Sequence, residues 1–304
     1  MNELIKDLGL LINATLIATP PLLLAALGSC FSERSGVVNI GIEGMMTIGA
    51  FTGAVMGLTT GNGWIAFLCA GLAGALFGLI HAFACISCHA DQTIAGTAIN
   101  FLGPGLALFL CKAMYSNSSD TPAMDPSCKL PKLFEGVFPT GSFWNNVLNV
   151  YAVAYLVFVL AFVCWFVFYK TRFGAHLRAV GEHPEACESL GIDVYKVRYT
   201  CVILSGFFAG LAGIVLLSRT NSGMGNAGLG YEFKVITCVV LGGVSVAGGS
   251  GRMSGVVAGT FIIGALNNGM VLMNINTWIQ DIVLGIVLVL AVGFDCIQKK
   301  RQAN

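Results

Sequence analysis

Ala152-Val-Ala-Tyr-Leu-Val-Phe-Val-Leu-Ala-Phe-Val-Cys-Trp-Phe-Val-Phe-Tyr169 is the apolar heart of a stretch, Asn146 to Tyr169, that holds no Asp, Glu, Lys or Arg. About 20 such residues, coiled as a helix, cross the ~30 Å hydrocarbon core of a bilayer. The pattern recurs along the chain. Gln92–Cys111, Tyr199–Ser218 and Met253–Gln280 carry no formal charge, and between Gly36 and Ala90 the one charge is Glu43. Across the chain, apolar residues make up 56%, glycine 39 of 304 positions and charged residues 10%. A soluble domain carries roughly 25% charge to cover its surface. The reading is an all-α integral membrane protein forming one transmembrane domain over residues 1–304. A net charge of +1 offers no basic face for nucleic acid.

Nine spans are predicted: 8–30, 36–58, 63–87, 92–112, 147–169, 199–218, 232–248, 253–273 and 277–296. The first lacks the basic flank and cleavage site of a signal peptide and reads as a retained span interrupted at Pro20-Pro21. In the seventh, Leu241-Gly-Gly-Val-Ser-Val-Ala-Gly-Gly-Ser-Gly251 marks a discontinuous or re-entrant element, which membranes tolerate only when it is buried in protein or lines a cavity. Basic residues crowd Lys170–Arg198 and the tail Lys299–Arg301, so both are predicted cytoplasmic, with Arg34 and Arg252. The N-terminus and the Pro-, Ser- and Asn-rich segment 113–146 then lie outside.

Small residues recur at helix-packing spacing. Ala70-Gly-Leu-Ala-Gly74 and Ala209-Gly-Leu-Ala-Gly213 are identical pentapeptides, of the kind that lets helix backbones approach closely in lipid. Of the eleven cysteines, Cys69, Cys85, Cys164, Cys201, Cys238 and Cys296 lie in or beside apolar runs, and Cys128 alone sits in a polar loop. A disulfide framework is not expected. Cys85-Ile-Ser-Cys88-His89 has the form of a haem-attachment site but falls at an inner span end, with no second axial ligand. Gly223-Met-Gly225-Asn-Ala-Gly228 matches GxGxxG without the strand and helix of a dinucleotide site. No phosphate-binding Walker loop is present. No catalytic residue, metal site or cofactor is expected.

Polar residues at membrane depth are the functional candidates. Glu43 is placed seven residues into the second span, with Asn39 one helical turn before it, and Asn100 with Thr97 gives the fourth span a second polar stripe. These four can line a solute path, since an intramembrane carboxylate must face protein or water. Alternatively, they glue helices or cap a break at Gly41 and Gly44. For Asn267 and Asn268 the packing reading is preferred. On the cytoplasmic side, His183 to Ile192 reads as a two-turn helix, with Pro184 at its first position, Glu185 at the positive end of the dipole and Gly191 as a left-handed cap. Flanked by five basic residues, it is either a docking element or a plain connector.

A family resemblance rests on four segments. Thr171-Arg-Phe-Gly-Ala-His-Leu-Arg-Ala-Val-Gly-Glu-His-Pro-Glu-Ala186 with Leu190-Gly-Ile192 resembles the ATPase-contacting loop of ATP-binding cassette importer permeases of the branched-chain amino acid, ribose and nucleoside branch. Ser32-Glu-Arg-Ser-Gly-Val-Val-Asn-Ile-Gly-Ile-Glu-Gly-Met-Met46 and Ala90-Asp-Gln-Thr-Ile-Ala-Gly-Thr-Ala-Ile-Asn-Phe101 resemble its nucleoside permeases. The final third, in Gly230-Tyr-Glu232, Leu241–Gly249 and Leu266-Asn-Asn-Gly269, is more similar to ribose-type permeases. The resemblance implies alternating access powered by a cytoplasmic ATPase. It also implies a second permease subunit, which is a paralogue or second copy, and an extracytoplasmic binding protein or lipoprotein. Gly181, Glu182, Pro184, Glu185, Ala186 and Gly191 would couple to the ATPase. A ribose-type sugar permease is the alternative, and an ion-coupled transporter or a membrane enzyme are more distant ones. An ion-coupled transporter would want carboxylates inside several spans, and Glu43 is the one that reads as deep.

Overall fold

A computed structural model describes residues 2–116, 118–123, 133–134, 138, 143–220, 228–245 and 249–303. The regular elements among them are helices. In chain order they are α1 Asn2–Arg34, α2 Ile42–Thr60, α3 Gly63–Ala82 (continued by a π-helical turn, Phe83–Ser87), α4 Gln92–Met114, α5 Phe143–Leu148, α6 Ala152–Lys170, α7 Arg172–Glu182, α8 Pro184–Ser189, α9 Val194–Thr220, α10 Tyr231–Leu241, α11 Met253–Leu272 and α12 Thr277–Ala303. Eight of them are long and apolar enough to span a bilayer among the described residues. They account for every predicted span except 232–248, so the protein is a multi-pass membrane protein.

That seventh span is a half-helix. α10 has 11 residues, which at 1.5 Å each rise only about 16 Å. The break lies at both ends: α10 starts after Gly230, whose φ of 74° a side chain would disfavour, and stops at Gly242. The chain beyond it returns to the face that holds α7, because Gly249 N–H donates to the Glu33 carbonyl at 3.0 Å and Gly249 packs on Gly181. Arg34, Glu182, Arg252 and Asp295 line one cavity of about 660 Å³, so the ends of α1, α7 and α12 and the start of α11 share that face. The start of α6 and the end of α9 meet α1 at Ile17 and Pro20. That contact lies about 25 Å up the helix from Arg34, at 1.5 Å per residue. The grouping of Arg34, Arg252 and the C-terminal helix is the one the charge pattern predicts. Single cysteines replacing Ser118 and Gln302, in a cysteine-free background, test the sidedness. An impermeant thiol reagent applied to intact cells should label the first and spare the second.

α9 is the axis of the packing: 78% of its span is buried, against 6% for α12 on the periphery. The two identical pentapeptides explain how α3 approaches it. A Cβ on Gly210 would stand 2.2 Å from the Ala70 carbonyl oxygen, and one on Gly74 would stand 2.2 Å from the Gly206 carbonyl oxygen. The two motifs face each other, backbone against backbone. Pro20 and Pro21 do not end α1, which runs through both. Cys30, Cys85, Cys111, Cys164, Cys187, Cys201 and Cys238 are buried. Cys128 and residues 223–227 of the glycine motif lie outside the described residues, as does half of 113–146.

Candidate functional site

The second span begins later than its hydropathy suggests. Residues 37–40 are non-helical and α2 starts at Ile42, so Glu43 sits in its first turn rather than two turns deep. Glu43 is nine-tenths buried. Its Oε2 accepts the Gly230 backbone N–H at 2.9 Å, taking up a donor at the open end of α10. Glu232 lies in the first turn of α10. Both carboxylates therefore stand at helix N-termini, where the aligned peptide dipoles favour negative charge.

Asn100 on α4 joins the two. Its Oδ1 accepts from the Gly44 N–H at 2.9 Å, and its Nδ2 donates to the Ile40 carbonyl at 3.1 Å and to Glu232 Oε2. The start of α2, the middle of α4 and the start of α10 are thus tied through one amide. The approach is close: a Cβ on Gly44 would lie 2.1 Å from the Ile99 carbonyl oxygen, and one on Gly103 would lie 2.3 Å from that of Gly44.

Of the four predicted path residues, the structure brings together Glu43 and Asn100. Asn39 is not on a helical face with Glu43, since it precedes α2. Its Oδ1 accepts from Gly41 N–H at 3.0 Å and its Nδ2 donates to Ser205 Oγ at 2.9 Å, fixing the non-helical segment against α9. Thr97 is exposed on α4, one turn before Asn100, and its hydroxyl donates back to the Thr93 carbonyl. Asn268 is buried in α11. Glu232 is the residue that sequence reasoning missed. Gly230 immediately before it is the usable signal, because a left-handed glycine opening a short helix places Glu232 at a helix end inside the membrane.

A second constellation lies on the Arg34 face. α7 is capped by Thr171, whose Oγ1 accepts the Gly174 N–H at 3.2 Å, and it ends at Glu182. α8 follows, with Pro184 at its first position. It closes with Ile192 N–H on the Cys187 carbonyl at 3.0 Å and with Gly191 at φ 79°, the Schellman geometry that glycine favours. Cys187 is the buried residue of α8, while Glu185, Ala186 and Leu190 are exposed. Asp193 caps α9, and the Lys196 backbone N–H it accepts holds its carboxyl below the usual range.

Behind α8, Gly181 and Glu182 reach the end of α1. Arg34, 4% exposed, donates through Nη1 to the Gly249 carbonyl, and its Nη2 lies 3.6 Å from Glu182 Oε1. Its guanidinium also sits 5.8 Å from the centre of the Phe168 ring. A Cβ on Gly181 would stand 1.9 Å from the Arg34 carbonyl oxygen. Arg198 Nε donates to the Ser35 carbonyl at 3.2 Å. The end of α7 is therefore seated directly on the turn that leads into α2 and on the loop that follows α10.

Residues 11–292 match the family model described as branched-chain amino acid transport system / permease component. The chain belongs to this permease family. The guanosine ABC transporter permease protein NupQ of Bacillus subtilis (strain 168) is 45% identical over 225 residues, 71% of this chain and 69% of that relative. The nucleoside ABC transporter permease protein NupC of Lactococcus lactis subsp. cremoris (strain MG1363) is 33% identical over 81% of this chain and 76% of its own length. The L-arabinose transport system permease protein AraH of Escherichia coli (strain K12) is 30% identical over 92% of this chain and 80% of its length. The resemblance read from the four sequence segments holds. In this permease, both polar constellations hang on elements that a continuous-helix reading would merge: the non-helical 37–40, the half-helix α10 and the turn between α7 and α8.

Proposed function

We propose that the chain is the membrane subunit of an ATP-binding cassette importer that carries a nucleoside across the cytoplasmic membrane by alternating access. Similarity to NupQ at 45% identity carries this reading. ATP would be hydrolysed by a cytoplasmic partner docked on α8, with Gly181, Glu182, Pro184, Glu185, Ala186 and Gly191 forming the contact and its support. A second permease subunit would complete the path, and an extracytoplasmic binding protein or lipoprotein would deliver the solute. Glu43, Asn100 and Glu232 would form a polar constriction, with Thr97 lining the path on α4 and Asn39 holding the segment before Glu43. The geometry suits alternating access, because α2 and α10, which carry the carboxylates, are continuous with the segments that α7 touches.

The test is guanosine uptake into proteoliposomes holding the permease pair, its ATPase and its binding protein. Uptake should require ATP and the ATPase, and uptake that persists without either overturns the reading. Glu43→Gln should leave the amount of protein unchanged and lower uptake about tenfold, the loss expected when a hydrogen-bond acceptor gives up its charge. Failure of that variant to accumulate would assign Glu43 to packing. A pentose is the second reading, favoured by the AraH match over 92% of the chain. Pentose uptake that excess guanosine leaves untouched would establish it.

A further inference from the structure

On the open side of Asn100, α4 and the segment after it enclose a cavity of about 530 Å³, lined by Asn100, Phe101, Pro104, Gly105, Leu108, Ser119 and Asp120. From Asn100 to Leu108 it runs about 12 Å along the helix at 1.5 Å per residue, the length of a nucleoside. Its walls divide by chemistry. Phe101, Pro104 and Leu108 present apolar surface, and Phe101 is 77% exposed, so its own chain leaves the ring uncovered. Gly105 has open space around it: an added Cβ would meet nothing within 4 Å.

The polar groups on this wall are acceptors, with the Ser119 hydroxyl able to donate as well. Pro104 has no N–H, so the Asn100 carbonyl one turn earlier lacks its ordinary helical donor. At membrane depth such a carbonyl must be met by another group. Asp120 sits in a turn where its own N–H is taken by Ser118 Oγ and its carbonyl accepts from the same hydroxyl. Among the described residues its carboxylate makes no hydrogen bond. The Asn100 amide donors are already engaged by Ile40 and Glu232. An aromatic ring, an apolar shelf and free acceptors with no free amide donor describe a site for a flat heterocycle that brings its own N–H groups.

We propose that this cavity is the subsite for the nucleobase, with the base stacked on Phe101 and its N–H edge on the Asp120 carboxylate. The sugar is then directed toward Asn100 and the Glu43–Glu232 constriction. The proposal rests on the nucleoside reading above and adds where, and by which edge, the base is held. A guanine face offers two adjacent N–H donors, at N1 and the exocyclic N2, which a carboxylate accepts together in a bidentate pair. An adenine face offers one donor beside a ring acceptor, which would meet the carboxylate as a repulsive partner.

Two variants test it in the complete complex, with the same binding protein throughout, so that any change in preference belongs to the permease. Gly105→Leu fills the cavity at a position with room for a side chain, and it should accumulate like the parent yet lower guanosine uptake at least roughly tenfold. Asp120→Asn should reduce the ratio of guanosine to adenosine uptake about tenfold, as expected when one charge-assisted acceptor is lost. Unchanged guanosine uptake by Gly105→Leu at normal abundance, or an unchanged base ratio in Asp120→Asn, overturns the subsite while nucleoside transport stands. A parent complex that imports pentose and no nucleoside removes the functional reading and the subsite with it.

Discussion

Gly74→Val should leave almost no folded permease in the membrane, while Gly285→Ala leaves its amount unchanged. The first position has no slack. A Cβ there would stand 2.2 Å from the Gly206 carbonyl oxygen and 2.7 Å from Gly210 Cα, all of it backbone. Overpacking against side chains already costs about 1–3 kcal/mol, because neighbours change rotamer to make room. Backbone cannot do so, and α3 would have to leave α9, the most buried spanning helix. In lipid no hydrophobic force holds the pair once that close packing is lost. Gly285 on α12 has nothing within 4 Å of an added Cβ, and alanine is the better helix former there. Detergent-extracted, monodisperse permease per unit of membrane, compared for the two variants, checks this. Equal yields would mean that α3 and α9 do not meet through the paired glycines.

The two pentapeptides show what was legible in advance and what was not. Their composition announces close helix packing, and their identity is visible by eye. Which helix each one faces is not, because spans that are apolar all round carry no stripe to mark a protein-facing side. The spanning helices themselves could be read directly, since an uncharged run of span length has few other homes. Glu43 illustrates the limit. Hydropathy cannot see that residues 37–40 are non-helical, as Val37, Val38 and Ile40 are as apolar as the helix that follows. The predicted start of the second span is therefore too early, and Asn39 falls before α2. Glu232 was obscured for a related reason. A span counted as one unit over 232–248 puts this residue at a membrane surface, whereas a half-helix that opens at Gly230 puts it beside Glu43. Reading Gly230 as a helix start, rather than as part of a motif, would have paired the two carboxylates.

The short helix α8 is the most legible part, since Pro184 and Gly191 occupy the positions that proline and glycine favour at the two ends of a helix. What the sequence concealed is the seat behind it, and the sharpest prediction concerns that seat. Gly181→Val should retain ATPase binding yet lose solute-stimulated ATP hydrolysis and uptake, by up to roughly thirtyfold when close packing transmits the motion. Gly191→Val should do the reverse, weakening ATPase binding and transmitting normally whatever binds. The difference follows from where the added atoms go. At Gly191 a side chain meets nothing within 4 Å but is forced to hold φ at 79°, a left-handed conformation that costs about 1–2 kcal/mol and re-aims α8. At Gly181 the backbone is unstrained, and the new Cβ would land 1.9 Å from the Arg34 carbonyl oxygen and 3.1 Å from Gly249 Cα. That drives the end of α7 away from the turn into α2 and from the loop after α10, the two routes to Glu43 and Glu232. Glu182, whose carboxylate lies 3.6 Å from buried Arg34, would be displaced with it. Pull-down of the ATPase and solute-stimulated hydrolysis, measured on the same reconstituted preparation, separate the two effects. If Gly181→Val binds the ATPase and is stimulated like the parent, force does not pass through the Arg34 contact, and α7 is only a tether for α8.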